Sequence, residues 1–127
     1  MRKRFLSTVA MALALTLVLA ACGSPDDEAE PTVTRIPDAA NWLGESMIAQ
    51  GAYTEAADVL VDIYQKNAEH PRAPDLLLKL GVALAGAGER ETACRTFDEV
   101  ERRYTETIPA FKNRLSQERA KSECPPA

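Results

Sequence analysis

Aromatic side chains are scarce in this sequence, with one tryptophan, three tyrosines and three phenylalanines among 127 residues. Helices pack on one another through Ala and Leu and do without them, so the scarcity favours an all-α fold over a β-sandwich. No stretch argues for strands. Histidine occurs once, as His70 beside Pro71 in a polar loop. There is no metal-ligand cluster, no Gly-rich phosphate loop and no carboxylate pair in an apolar setting. The residues therefore predict no enzyme, no metal site and no cofactor. A net charge of −4 withholds the cationic surface that phosphate backbones require, so nucleic acid is not an expected partner. Long apolar runs are missing as well, except for Phe5 to Leu19, which is short for a bilayer span.

That single run follows Arg2-Lys3-Arg4 and ends in small residues, the pattern of a secretory signal peptide rather than a transmembrane anchor. Its end, Leu19-Ala20-Ala21-Cys22, resembles a bacterial lipobox. Residues 1–21 are then the leader, and Cys22 becomes a lipidated N-terminus. Ordinary signal cleavage after Ala20 or Ala21 is the alternative. Resemblance to bacterial lipoproteins implies outer-membrane sorting, because Gly23 replaces the Asp that retains such proteins at the inner membrane. Loss of Arg2, Lys3 and Arg4 leaves 12 Lys and Arg against 19 Asp and Glu. So acidic a body is repelled by an anionic membrane surface and faces the periplasm. Residues 22–36, with four acidic groups between Asp26 and Glu30, read as a disordered tether spanning about 20 Å as a flexible coil.

From residue 37 onward the chain repeats itself. Leu43-Gly44, Gly51, Ala56 and Leu60 recur as Leu80-Gly81, Gly88, Ala93 and Phe97, each 37 residues later. A fixed offset of this length predicts two helical hairpins stacked as a solenoid. The first helix opens at Pro37-Asp38, with Asp38 as its N-cap, and turns inward Ala40, Leu43, Met47 and Ile48. After Gly51 the second helix buries Ala56, Leu60, Ile63 and Tyr64. Pro74 and Asp75 begin the third, with Leu77, Leu80 and Leu84 inward and Gly86 and Gly88 at its end. The fourth, from about Arg90 to Arg103, buries Ala93, Phe97 and Val100. A fifth, from Pro109 to about Lys121, has few inward residues (Phe111, Leu115) and reads as a C-terminal capping helix. Residues 37–124 thus form the folded domain.

These marks resemble the tetratricopeptide pattern, with a longer period. The wording Trp42-Leu43-Gly44-Glu45, Ala73-Pro74-Asp75-Leu76-Leu77-Leu78-Lys79-Leu80-Gly81 and Ala93-Cys94-Arg95-Thr96-Phe97 is similar to the C-terminal part of the YbgF/CpoB family of the Tol-Pal system. That resemblance implies a periplasmic adaptor that binds TolA or a cell-wall synthase and coordinates peptidoglycan synthesis with outer-membrane constriction. Family members usually carry an N-terminal coiled coil and about three repeats, whereas this chain has no heptads and two repeats. The alternative is a BamD-type lipoprotein accessory to outer-membrane protein assembly, a class that also joins a lipobox to such repeats.

In solenoids of this kind, first-helix residues that do not pack inside line a groove. With Gly44 and Gly81 set equivalent, Asn41, Glu45 and Ile48 come from repeat one, and Leu78 and Val82 from repeat two. Such a groove suits a helix or an extended peptide, although Leu78 reads equally well as core. Trp42 reads as packing or as a rim anchor. Three cysteines in an exported chain leave one odd. If Cys22 carries lipid, Cys94 and Cys124 remain, and antiparallel packing of the last two helices brings them together as a disulfide. Two unpaired thiols are the alternative.

Overall fold

The computed structural model describes residues 37–126; the leader, Cys22 and the acidic tether lie outside the described residues. Five helices follow one another: α1 (Pro37–Ala49), α2 (Tyr53–Lys66), α3 (Ala73–Gly86), α4 (Arg90–Arg103) and α5 (Pro109–Lys121). There is no strand among the described residues, and no helix there is long and apolar enough to cross a membrane. Helices α1 and α2 form one hairpin and α3 and α4 the next. Helix α3 packs along both α2 and α4 and runs beside α1, whereas α5 meets the rest of the fold far more sparingly.

Both hairpins turn by the same device. Gly51 and Gly88 take φ of +76° and +87°, a left-handed conformation that side chains rarely adopt. Each glycine N–H donates three residues back, Gly51 to Ile48 at 3.0 Å and Gly88 to Ala85 at 3.1 Å. The next N–H donates five back, Ala52 to Met47 at 2.9 Å and Glu89 to Leu84 at 2.8 Å. This is the Schellman closure, and it satisfies carbonyls the helix end would otherwise orphan. Helix α5 ends the same way, with Glu123 N–H to Ala120 and Cys124 N–H to Arg119, both at 3.0 Å. There, however, the left-handed residue is Glu123, with φ of 53°.

The remaining small residues set helix spacing. A Cβ on Gly44 would lie 2.6 Å from Leu60 Cδ2, and one on Gly81 would run into the Phe97 ring. Leu60, Ile63, Leu76, Leu78, Phe97 and Val100 are wholly buried and fill the centre. Two expected features differ. Asp38 lies inside the first turn of α1, where its carboxylate accepts from Arg72 Nε at 2.7 Å instead of capping the helix. Leu43 is only half-buried, while its counterpart Leu80 is buried, because α1 has no described helix in front of it.

Candidate functional site

The face shared by α1 and α3 carries the residues predicted for a groove, and the structure divides them. Glu45, Ile48 and Val82 are partly or largely open to solvent. Glu45 and Val82 occupy the same place one repeat apart. Asn41 and Leu78, also one repeat apart, are not groove residues. Asn41 is buried, and Leu78 has no exposed surface. The reason is directional. Position 41 looks along the stack toward α3, where Asn41 Oδ1 accepts from Lys79 Nζ at 2.9 Å. Leu78, the equivalent position, is part of the core cluster. Trp42, in the middle of α1, is 68% exposed.

Lys79 is the residue that sequence patterning missed. A lysine on an amphipathic helix ordinarily reads as solvated surface, yet its side chain is 5% exposed. Its ammonium donates to Asn41 and, at 2.8 Å, to Glu45 Oε2, while the Glu45 side chain remains 54% exposed. A buried cation is tolerated only when its donors are met, and α1 meets two of them. The one available signal was the juxtaposition of Asn41 and Glu45, one helical turn apart on the side of α1 that faces the next repeat. The hydrogen bond from Lys79 and then its charge hold the Glu45 carboxyl below the usual carboxylate range, with Arg114 adding to the effect. Asp75, at the start of α3, sits 3.4 Å from Arg72 Nη1 and 3.9 Å from Arg114 Nη1. The α1–α3 face thus carries paired charges together with the half-buried apolar side chains Ile48 and Val82.

Tyrosines tie the two repeats together at the other end of the helices. Arg103 Nη1 donates to Tyr64 Oη at 3.0 Å, and the two phenol oxygens lie 3.0 Å apart. Tyr104 Oη is 2.8 Å from the Ala68 carbonyl. Each hydroxyl has one proton, so Tyr64 donates to Tyr104, which donates to Ala68. Burial raises the Tyr104 phenol above its ordinary value. His70 is half-buried, and its Nδ1 accepts the Arg72 backbone N–H at 3.1 Å.

Cys94 and Cys124 are joined as a disulfide, with Cα atoms 5.4 Å apart. Close by, the buried Arg119 pairs with Asp98 and donates to the Pro125 carbonyl at 2.9 Å.

Compared with known families, residues 75–107 match the tetratricopeptide-repeat family model. The match runs from the first turn of α3 to the loop after α4. A search of the curated proteins returned no match.

Proposed function

We propose, from the premise that this chain contains a tetratricopeptide repeat, that it is a non-enzymatic adaptor of the bacterial envelope. Tetratricopeptide repeats bind protein partners, and the observation that carries the proposal here is the α1–α3 face. Glu45 and Val82 stand at equivalent positions one repeat apart, with Ile48 beside them. The paired charges leave the partner to be held through Ile48 and Val82, with Glu45 fixing its register, an arrangement suited to an amphipathic helix or extended peptide.

The lipobox at Cys22 supports an outer-membrane anchor with the repeats facing the periplasm. The wording around Leu43-Gly44, Pro74–Gly81 and Ala93–Phe97 supports a partner of the Tol-Pal kind, TolA or a cell-wall synthase, and a part in envelope constriction at division. The joined lipobox and repeats also support accessory service to outer-membrane protein assembly. Site-specific crosslinking from a photoreactive residue at Val82 in intact cells separates the two. Crosslinks to TolA or a cell-wall synthase fit the first reading, and crosslinks to the barrel-assembly machinery select the second. Failure of either crosslink to diminish when Glu45 is replaced by Lys would remove the groove itself. Labelled palmitate incorporated into the wild type, and not into Cys22→Ala, tests the anchor.

A further inference from the structure

Helix α5 is fastened most closely at its far end, although Arg114 in its middle lies 3.9 Å from Asp75 of α3. Leu115 and Arg119 are its buried residues. Its first half stands off α4 across a cleft of about 300 Å³ bordered by Tyr104, Phe111 and Leu115, and Ile108 just before it is 69% exposed. Its far end is tied three times. Arg119 pairs with Asp98 and reaches the Pro125 carbonyl. Arg90 Nη2 donates to the Glu123 carbonyl at 2.8 Å, and Cys124 is bonded to Cys94. Glu123, between these ties, takes the left-handed conformation that glycine takes in both hairpin turns, and so bends the chain back over α4.

Beneath α5 lies the edge of the core: Leu115 joins the same cluster as Phe97 and Val100, and Phe111 packs against it. What α5 presents to that surface is spare: an aromatic residue, a leucine and an arginine at i, i+4 and i+8. Asp98 receives the arginine, and Glu101 lies 4.0 Å from it.

We propose that α5 is a plug held by the Cys94–Cys124 latch, and that the end of repeat two beneath it is a second docking site. Its partner is an amphipathic helix carrying an aromatic residue, leucine and arginine at that spacing. The site is separate from the α1–α3 face and does not rest on the function proposed for it. A cleft of about 390 Å³ bordered by Arg90, Cys94 and Arg95 gives a dithiol reductant access to the latch. One reductant thiolate attacks Cys94 Sγ, the bond to Cys124 breaks, and Cys124 leaves as a thiolate that takes a proton from water. The second reductant thiol then displaces Cys94. Two electrons and two protons pass to the cysteine pair, and the reductant closes to a cyclic disulfide.

The test uses the intact chain in three forms: oxidised, reduced with dithiothreitol, and Cys124→Ser. Hydrogen exchange and a labelled peptide of residues 107–126, itself carrying Cys124→Ser, are read on each. On opening the latch, α5 amides are expected to lose protection by roughly a hundredfold while α1–α4 keep theirs. The peptide is expected to bind the reduced and Cys124→Ser chains at least about tenfold more tightly than the oxidised one, and Asp98→Lys in the Cys124→Ser chain to abolish that binding. Unchanged α5 protection overturns the latch. Loss of protection across all five helices makes the disulfide a global staple and overturns it equally. A freed α5 with no peptide binding overturns the docking site.

Discussion

Laid over one another at their 37-residue offset, the two hairpins keep their small residues and change what packs against them. Gly44 faces Leu60 where Gly81 faces Phe97. Trp42 is exposed where Lys79 is buried, and Leu43 is half-open where Leu80 is covered. Among the described residues, repeat one is the end of the stack and repeat two stands between it and α5. The same positions therefore carry different energies, and burial by a neighbour decides which residue types they tolerate.

The largest contrast is expected at the groove-filling pair. Phe97→Ala should destabilise by about 3–5 kcal/mol and Leu60→Ala by less, both through cavities in a wholly buried site; urea unfolding of the two variants ranks them. Equal losses would mean that the stack's end is packed as firmly as its middle. Alanine at the glycines comes next. At Gly81 a Cβ meets a buried aromatic ring that cannot yield, which costs about 1–3 kcal/mol. At Gly44 it meets the Cγ and both methyls of the wholly buried Leu60. The gain of about 1 kcal/mol in helix propensity offsets part of either clash, and Gly44→Ala, against the smaller side chain, should lose less than Gly81→Ala in a thermal melt; an equal loss would undo the comparison.

Asn41→Leu strips a partner from the buried Lys79 ammonium and should cost about 1–3 kcal/mol. Lys79→Met together with Asn41→Leu should recover most of it, since well-packed apolar replacements of buried ionic groups are often neutral or better. A double-mutant cycle measures the recovery. Glu45 contributes less, being half in solvent, and its contribution depends on pH in a definite direction. Its folded pKa lies below the ordinary value of 4.5, so the unfolded chain binds its proton first as pH falls. The stabilisation is in place above that ordinary value and disappears as pH drops through the lower folded one. The denaturation midpoints of wild type and Glu45→Gln should differ by a constant amount near neutrality and converge in acid. The smallest effect is expected at Trp42, where truncation to Ala should stay within about 0.5 kcal/mol.

The hairpins themselves were legible in the sequence. Gly51, Gly88, Pro74 and Pro109 stop and start helices for local steric reasons that hold whatever surrounds them. Helical periodicity likewise named Leu60, Ile63, Phe97 and Val100 as core. It says which side of a helix turns inward, but not which neighbour lies on that side. For this reason periodicity puts Asn41 in a groove and leaves Leu78 between groove and core, whereas Asn41 looks along the stack to Lys79 and Leu78 is core. Lys79 and Arg119 were hidden for a related reason. A long cation is buried only where other helices bring acceptors to it, and Asn41, Glu45 and Asp98 reach them across 38, 34 and 21 residues of chain.

Two nearly alike hairpins in one chain invite errors of assembly, in which one stands in the other's place or trades with the same hairpin of a second molecule. The buried ammonium of Lys79 works against the first. It is accepted only opposite Asn41 and Glu45, and the first hairpin offers an indole at that position. A mispaired stack would strand a charge at one joint and press Trp42 against polar groups at the other. The lysine thereby serves as a proofreading mark, telling the folding chain which of its two copies comes first.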